Sequence, residues 1–185
     1  MIDAIYTFDN AILDFFQSIH FPFLNKFMVF VTSLGNGGRI WIGLSLILLF
    51  FKKTRKAGIA SAIALIFGLI ICNLTLKELV QRARPMFQEF AEYEKLIKTP
   101  SDYSFPSGHT TSAFASALAA SYFFKNKAFV ISSVTLAAII AISRLYLYVH
   151  FPTDVIAGLV IGFICALLGV IITNFIYKKL SKNKG

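Results

Sequence analysis

The chain has 185 residues, of which 57% are hydrophobic and 15% carry a charge, and its mean hydropathy is +0.71. A soluble domain of this size has too little interior for so much apolar surface, and a disordered chain is far more polar. Cys72 and Cys165 lie inside apolar runs, so we interpret them as reduced core thiols rather than as a bridge or a zinc site. The composition predicts an integral membrane protein with a single domain over residues 1–185.

The formal net charge of +9 comes with cations in three short clusters, at residues 52–56, 125–127 and 178–184. Each cluster lies at the end of an apolar run, which is where the cytoplasmic loops of a membrane bundle carry Lys and Arg. This placement favours a lipid bilayer as the partner, and we expect no nucleic-acid partner.

Apolar and acidic or amide residues alternate at the start of the chain. The pattern predicts an amphipathic helix over residues 1–20 that lies at the membrane interface rather than crossing it.

Six apolar runs follow, and three of them reach or exceed about 19 residues, the length that crosses the hydrocarbon core as a helix. A glycine-rich turn at residues 35–38 separates the first two, and Gly158 and Gly162 in the last predict close helix packing. We predict an all-α bundle of six transmembrane helices with both termini and the three basic clusters on the cytoplasmic face. The runs are 21–34, 40–51, 58–76, 110–124, 129–149 and 155–177.

Several charged and imidazole groups on the outer face are not explained by packing. Arg144 lies within a predicted span, and an arginine at the centre of such a helix costs about 2.5–3.5 kcal/mol on insertion scales. One cation near a helix end can snorkel to water, but three cations and two histidines on one face need another reason. These groups are Lys77, Arg84, His109, Arg144, His150 and Asp154.

Lys77 and Arg84 are seven residues apart, which is two turns of a continuous helix. The spacing predicts that both side chains share one helix face and reach one ligand. Pro85 is then expected to end the helix, because the residue before a proline avoids the helical region.

Pro152 predicts a break between two helices close to His150. Asp154 falls in the first turn of the last helix, where it can accept a hydrogen bond from the imidazole. Ser107 or a neighbour is expected to cap the preceding helix, and Gly108 allows an anion to approach its free N–H groups.

Cations, a helix N-terminus, two histidines and an aspartate are the groups that phosphoryl transfer uses. One histidine can attack phosphorus, the other can protonate the leaving oxygen, and a carboxylate can support the nucleophile. Because three fixed cations can do the work of magnesium, we expect a metal-independent enzyme with no cofactor.

The motifs resemble the three-part signature of the type-2 phosphatidic acid phosphatase superfamily, across residues 77–154. The matching segments are Lys77-x6-Arg84-Pro85, then Pro106-Ser107-Gly108-His109, then Ser143-Arg144-x5-His150-x3-Asp154.

The resemblance implies a lipid phosphatase with six helices and an extracytoplasmic active site. By this resemblance His150 is the nucleophile that becomes phosphohistidine, Asp154 supports it, and His109 is the acid and then the base. The phosphate-binding residues that it implies are Lys77, Arg84, Ser107, Gly108 and Arg144.

We expect the substrate to be a membrane lipid phosphate or diphosphate, with undecaprenyl diphosphate first and phosphatidylglycerophosphate or phosphatidic acid as alternatives. A lipid transporter or flippase is a hypothesis of a different class, since charges inside spans also mark transport pathways. A structural protein whose cations anchor lipid headgroups is a third, although it leaves the histidines without a role.

The loop over residues 86–104 has a net charge of −2, beside a positive site. It is predicted either to form a partial lid that discourages polyanions or to be an ordinary solvated loop.

Overall fold

The computed structural model describes residues 2–88, 95–98 and 100–183, and these ranges form helices and connecting segments with no strand. This confirms the all-α fold. The helices are α1 (Ile2–Ser18), α2 (Pro22–Leu34), α3 (Arg39–Phe50), α4 (Arg55–Gly68), α5 (Lys77–Val80), α6 (Gly108–Phe123), α7 (Lys127–Tyr146) and α8 (Pro152–Lys182). A π-helical stretch, Leu69–Leu76, joins α4 to α5.

Helices α4, α6 and α8 pack closely because small residues lie where they meet. Ala60, Ala64, Ala115 and Ala119 are fully buried in this cluster. A Cβ atom at Gly162 would lie 2.9 Å from the carbonyl oxygen of Thr111, so α8 approaches the backbone of α6 directly. The close packing predicted for the glycine pair of α8 is therefore present.

Three helical stretches of the described chain are long and apolar enough to cross a membrane: Arg55–Phe87, Lys127–Tyr146 and Pro152–Lys182. Helices α2 and α3 meet at a bend of 46°. If the two together form one broken crossing, they make a fourth span. The short turn between them lies at Asn36–Gly38, where Gly37 and Gly38 have positive φ values of 59° and 68°. Six separate spans are not confirmed.

Helix α1 lies across the end of the bundle that carries the link between α7 and α8. Its Tyr6 ring packs edge-on against Phe151, and Gln17 donates a hydrogen bond of 3.3 Å to the carbonyl oxygen of Tyr146. The C-terminal part of α8 lies at the opposite end, where the ammonium group of Lys56 is 4.6 Å from the centre of the Tyr177 ring. The prediction that both termini lie on the cytoplasmic face stays a prediction, and so does the interfacial position of α1.

The helix before Pro85 ends earlier than predicted. Helix α5 stops at Val80, Gln81 has a left-handed φ of 51°, and Arg84 is extended at φ −80° and ψ 155°. Lys77 and Arg84 therefore do not share a continuous helix face. The extended conformation of Arg84 follows from the proline after it, and it turns the chain back towards the site.

Gly162→Ala is expected to lower thermal stability, whereas Gly43→Ala is not. A methyl group at position 162 must displace the backbone of α6, whereas one at position 43 meets no atom within 4 Å. We expect the thermal midpoint in detergent to fall by at least about 2–4 °C for Gly162→Ala. It should rise or stay constant for Gly43→Ala, because alanine favours the helix by about 0.5–1 kcal/mol. Equal shifts for both variants would contradict the close packing of α8 on α6 at Gly162.

Candidate active site

A cavity of about 780 Å³ opens at the end of the bundle where α6 and α8 begin. It is bordered by the turn between α2 and α3, by the faces of α3 and α4, and by the start of α6. Six of the eight residues singled out from the sequence line it: Lys77, Arg84, Gly108, His109, Arg144 and His150.

The two remaining residues lie behind this wall. Asp154 is fully buried behind His150, in the first turn of α8. Ser107 is also fully buried, and its side chain accepts hydrogen bonds from the amide and the hydroxyl of Thr110. Ser107 is thus the N-cap of α6, as predicted, and its hydroxyl is engaged with the helix.

His150 lies in the link between α7 and α8 with both ring nitrogens facing charged groups. Its Nε2 accepts a hydrogen bond of 3.1 Å from Nη1 of Arg84. A guanidinium group can only donate, so Nε2 carries the lone pair and the proton of the neutral ring is on Nδ1. Nδ1 is buried without a hydrogen bond, and Oδ2 of Asp154 lies 3.5 Å from it. At this distance the carboxylate acts on the imidazole through its charge.

The carboxylate of Asp154 is held from several directions. Oδ2 accepts hydrogen bonds from the hydroxyl of Ser104 and from the amide of Phe151, the latter at 2.9 Å. Oδ1 accepts a bond of 2.7 Å from Nη1 of Arg82. The side chain therefore has a fixed orientation before any substrate arrives.

Lys77 and Arg84 share one anionic partner, Asp102. The carboxylate of Asp102 pairs with the ammonium group of Lys77 and lies 2.6 Å from Nη2 of Arg84. Burial alone would raise the pKa of Asp102, but the two cations outweigh it and lower the pKa to about 2. Near neutral pH the carboxylate stays ionised, so only another anion can displace it from the two cations.

Arg144 is buried with an incomplete set of partners. It donates a hydrogen bond to the hydroxyl of Thr32 on α2, its Nε has no hydrogen-bond partner, and no ion pair involving it is found among the described residues. A buried cation that lacks an anion is costly unless a ligand supplies one. Arg144 therefore gives the cavity a fixed positive charge that is available to an anion.

His109 projects from the first turn of α6 towards the turn between α2 and α3. Its Nε2 donates a hydrogen bond of 3.0 Å to Oδ1 of Asn36. The adjoining Gly108 packs so closely on Asn73 that a Cβ atom would lie 2.7 Å from Oδ1 of that residue. Both imidazole rings thus border the same cavity.

Sequence reasoning missed several residues that hold the site. Asp9 is one of the acidic residues of the predicted amphipathic helix, yet it is fully buried and accepts a hydrogen bond of 2.7 Å from Nη2 of Arg82. The signal was available: at 100° per residue Asp9 is at the centre of the apolar stripe formed by Ile5, Leu13 and Phe16. The pairing with Arg82, 73 positions away, has no local signal.

The predicted lid is described only in part. Asp102 contacts the cations as stated above, but Glu89, Glu92 and Glu94 lie outside the described residues. The same holds for Lys184 of the third basic cluster. The lid stays a prediction.

Comparison with known proteins supports phosphoryl transfer, the chemistry that the cations and histidines predict. Residues 55–178 match the PAP2 superfamily. The chain is 34% identical over 140 residues to an undecaprenyl-diphosphatase of Sulfolobus acidocaldarius, a match that covers 75% of this chain and 66% of that protein. It is 31% identical over 174 residues to phosphatidylglycerophosphatase B of Bacillus subtilis, covering 86% of this chain and 80% of the relative.

Two solved structures share the fold. The crystal structure of a transmembrane PAP2-type phosphatidylglycerolphosphate phosphatase from Bacillus subtilis superposes with a TM-score of 0.72 at 28% identity, covering 95% of this chain and 87% of that one. The crystal structure of Aquifex aeolicus LpxE superposes with a TM-score of 0.77 at 25% identity, covering 88% and 94%. The match over residues 55–178 takes in both histidines and every cation of the cavity, and the chain belongs to the PAP2 superfamily of phosphatases.

Proposed function

We propose that the protein is a membrane lipid phosphatase that removes the terminal phosphate of a lipid phosphate or diphosphate through a phosphohistidine intermediate. The observation that carries the proposal is the pair of imidazoles, His109 and His150, on one cavity with the cations Lys77, Arg84 and Arg144. Family membership and the names of the relatives support the same reaction class.

In the first step the terminal phosphate replaces the carboxylate of Asp102 between Lys77 and Arg84. The lone pair on Nε2 of His150 attacks phosphorus, and the bond from phosphorus to the leaving oxygen breaks. His109, as the imidazolium, gives its proton to that oxygen. The cations hold the three non-bridging oxygens and the negative charge that develops on them.

In the second step the neutral His109 takes a proton from water, and the water oxygen attacks the phosphohistidine. The bond between phosphorus and Nε2 breaks, and inorganic phosphate leaves. Asp154 stabilises the imidazolium form of His150 that exists in the intermediate. Fixed cations supply the positive charge throughout, so we propose that the reaction needs no metal ion.

The apolar part of the cavity supports a lipid as the substrate. Away from the histidines the wall consists mainly of residues of α3 and α4, at positions that each present one helix face. A free phosphate would gain nothing from this wall, whereas an isoprenoid or acyl chain would bury apolar surface along it. The apolar lining residues of α3, of α4 and of the start of the π-helical stretch are Ile42, Leu46, Leu49, Ala62, Leu65, Ile66 and Leu69.

Undecaprenyl diphosphate is the substrate that we propose first, because a relative of that name is 34% identical to this chain. Phosphatidylglycerophosphate is the alternative, supported by the similarity to phosphatidylglycerophosphatase B. Lipid A 4′-phosphate is a third, since a lipid A 4′-phosphatase of Porphyromonas gingivalis is 29% identical over 88% of this chain. Phosphate release from a panel of these lipids orders them directly.

We propose that the active site faces the extracytoplasmic side and that the basic end of α8 lies in the cytoplasm, following the positive-inside rule. Since α1 packs at the site end, we place it on the outer side, in place of the cytoplasmic N-terminus expected from sequence. The bend between α2 and α3 favours one broken span. With the three long stretches of the fold and the shorter α6, which we also propose to cross, the proposed number of crossings is five.

Single cysteines test this topology. In a Cys72→Ser and Cys165→Ser background, a cysteine in place of Ser18 should react with a membrane-impermeant maleimide added to intact cells. A cysteine in place of Lys53 should react only after the membrane is opened. Protection of position 18 in intact cells would contradict the outer position of α1 and restore the six-span topology.

Histidine variants test the mechanism. His150→Ala should lower phosphate release from every lipid by at least about 1,000-fold, because no nucleophile remains. His109→Ala should slow release by about 100- to 10,000-fold, because it removes the acid and base. His20→Ala is the matched control: its ring stacks on Tyr146, outside the cavity, and activity should be retained.

The same preparations are assayed in EDTA and, with lipid that carries a labelled terminal phosphate, after quenching in alkaline denaturant, because a phosphohistidine survives in base but is hydrolysed in acid. Activity should persist in EDTA, and labelled phosphate should be found on the wild-type protein but not on His150→Ala. Full activity of His150→Ala, or activity that depends on added magnesium, would refute the corresponding part of the mechanism.

A larger side chain in the apolar wall should impair the hydrolysis of lipid substrates but not that of soluble ones. Leu65→Trp narrows the cavity, so we expect KM for the lipid to rise about fivefold or more, since each buried methylene contributes about 0.8 kcal/mol. Hydrolysis of inorganic pyrophosphate should change by less than about twofold, because the histidines and cations are untouched. Leu167→Trp, at a half-exposed position on α8 outside the cavity, is the control. Equal loss on both substrates would show that the wall does not bind lipid.

A further inference from the structure

A buried chain of charged groups connects α1 to the nucleophile. Asp9 and Arg82 form its far end: Asp9 lies outside the three signature motifs, and Arg82 occupies one of the unspecified positions between Lys77 and Arg84. Asp9 is fully buried, and the side chain of Arg82 is 16% exposed. Asp9 also lies outside residues 55–178, the region that matches the superfamily.

Hydrogen bonds join Asp9, Arg82, Thr153 and Asp154 to one another. Nη2 of Arg82 donates to Oδ2 of Asp9 at 2.7 Å, and Nη1 donates to Oδ1 of Asp154 at 2.7 Å. The amide and hydroxyl of Thr153 donate to the two oxygens of Asp9, at 3.0 and 2.7 Å. The hydroxyl also accepts from Nη1 of Arg82 at 2.7 Å, which closes the chain.

Aromatic rings hold the guanidinium group in place. Its central carbon lies 3.9 Å from the centre of the Phe151 ring and 5.5 Å from that of Tyr6. Tyr6 and Asp9 are three positions apart on α1, so one face of that helix supplies both contacts. The arginine is thus fixed by stacking as well as by its two carboxylates.

The charges of the chain do not cancel. Asp9 and Asp154 contribute −2 and Arg82 contributes +1, so the net charge behind His150 is −1 while the imidazole is neutral. Attack on phosphorus makes this ring an imidazolium, and the total becomes zero. If Asp9 were absent, Arg82 alone would neutralise Asp154, and no net negative charge would face the new cation.

On its other side His150 faces cations, and the excess negative charge is needed to offset them. Arg84 lies 3.1 Å from Nε2, and Arg144 and Lys77 border the same cavity. These cations bind phosphate, but they also oppose formation of an imidazolium beside them. Asp102 is their nearest carboxylate, and in the proposed reaction the substrate displaces it.

We propose that Asp9 and Arg82 are positioning residues for the phosphatase reaction: they hold Asp154 in place and keep one net negative charge behind His150. The inference rests on the proposed phosphohistidine chemistry. It makes α1 part of the catalytic apparatus, through a carboxylate that does not touch the substrate.

The test compares kcat and KM for four variants on one lipid substrate, with thermal midpoints measured in parallel. Asp9→Asn should lower kcat by on the order of 10- to 100-fold, the effect of one charge several ångströms away in a partly screened interior. KM should stay within about twofold, because the phosphate-binding cations are unchanged. Asp14→Asn, at an exposed position on the same helix, is the matched control and should behave as wild type.

The two remaining variants separate charge from shape. The double variant Asp9→Asn, Arg82→Gln leaves Asp154 as the one charged member of the three, so the net charge is again −1. Its kcat should therefore be higher than that of Asp9→Asn alone. Thr153→Val removes a hydrogen-bonding hydroxyl but no charge, and should lose less than about threefold. A structural role alone predicts the reverse order, with the double variant slowest.

Unchanged kcat in Asp9→Asn overturns the proposal, and so does a double variant no faster than the single one. If Asp9→Asn alone does not fold, the double variant decides: a folded protein with a tenth or more of wild-type kcat supports the proposal, and a folded inactive one overturns it. Phosphate release by the wild type and its loss in His150→Ala test the phosphatase function itself, so the two failures are distinguishable.

Discussion

A charged side chain can lie at the end of an apolar bundle only if opposite charge or several hydrogen bonds compensate for the lost water. Four cations, Lys77, Arg82, Arg84 and Arg144, are concentrated at this end of the protein, and the ways in which they are compensated differ. These differences determine which of them can bind a ligand and which can only support one.

Exposure divides the anionic partners into two kinds. The side chain of Asp102, which faces Lys77 and Arg84, is 53% exposed, whereas Asp9 and Asp154 are fully buried. A half-exposed carboxylate regains its hydration when another anion takes its place, so the exchange for a phosphate costs little. The buried carboxylates Asp9 and Asp154 could not regain water in this way, so their pairing with Arg82 is permanent.

The sequence was informative where the chemistry is local. The N-cap at Ser107, the break before Pro152 and the position of Asp154 in the first turn of α8 each follow from residues within a few positions of one another. The two histidines and the cations were recognised because charge near membrane depth is rare. Structural features that depend on a few neighbouring residues can be predicted from a single sequence.

The sequence was less informative where one segment depends on a distant one. The extended stretch after Val80 was taken for helix, since the helical spacing of Lys77 and Arg84 was consistent with it. The direction of α2 relative to α3 depends on packing against α7, which the apolar runs do not encode. The partnership of Asp9 with Arg82 likewise needs the folded chain, although a carboxylate within an apolar stripe marks a position that must find a partner.

The depth of the cavity and the charge at its end place opposite demands on the bundle. An apolar wall favours the low dielectric of the membrane interior, in which an imidazolium is unfavourable, whereas the proposed phosphoryl transfer to His150 requires that cation. Helix α1 reconciles the two because it covers the end of the bundle and carries one more carboxylate into it. Asp9 and Asp154 are fully buried there, which strengthens each charge interaction, and in the proposed mechanism Asp9 makes the net charge behind His150 negative. In this proposal the helix that packs behind His150 also adjusts the electrostatics of the site.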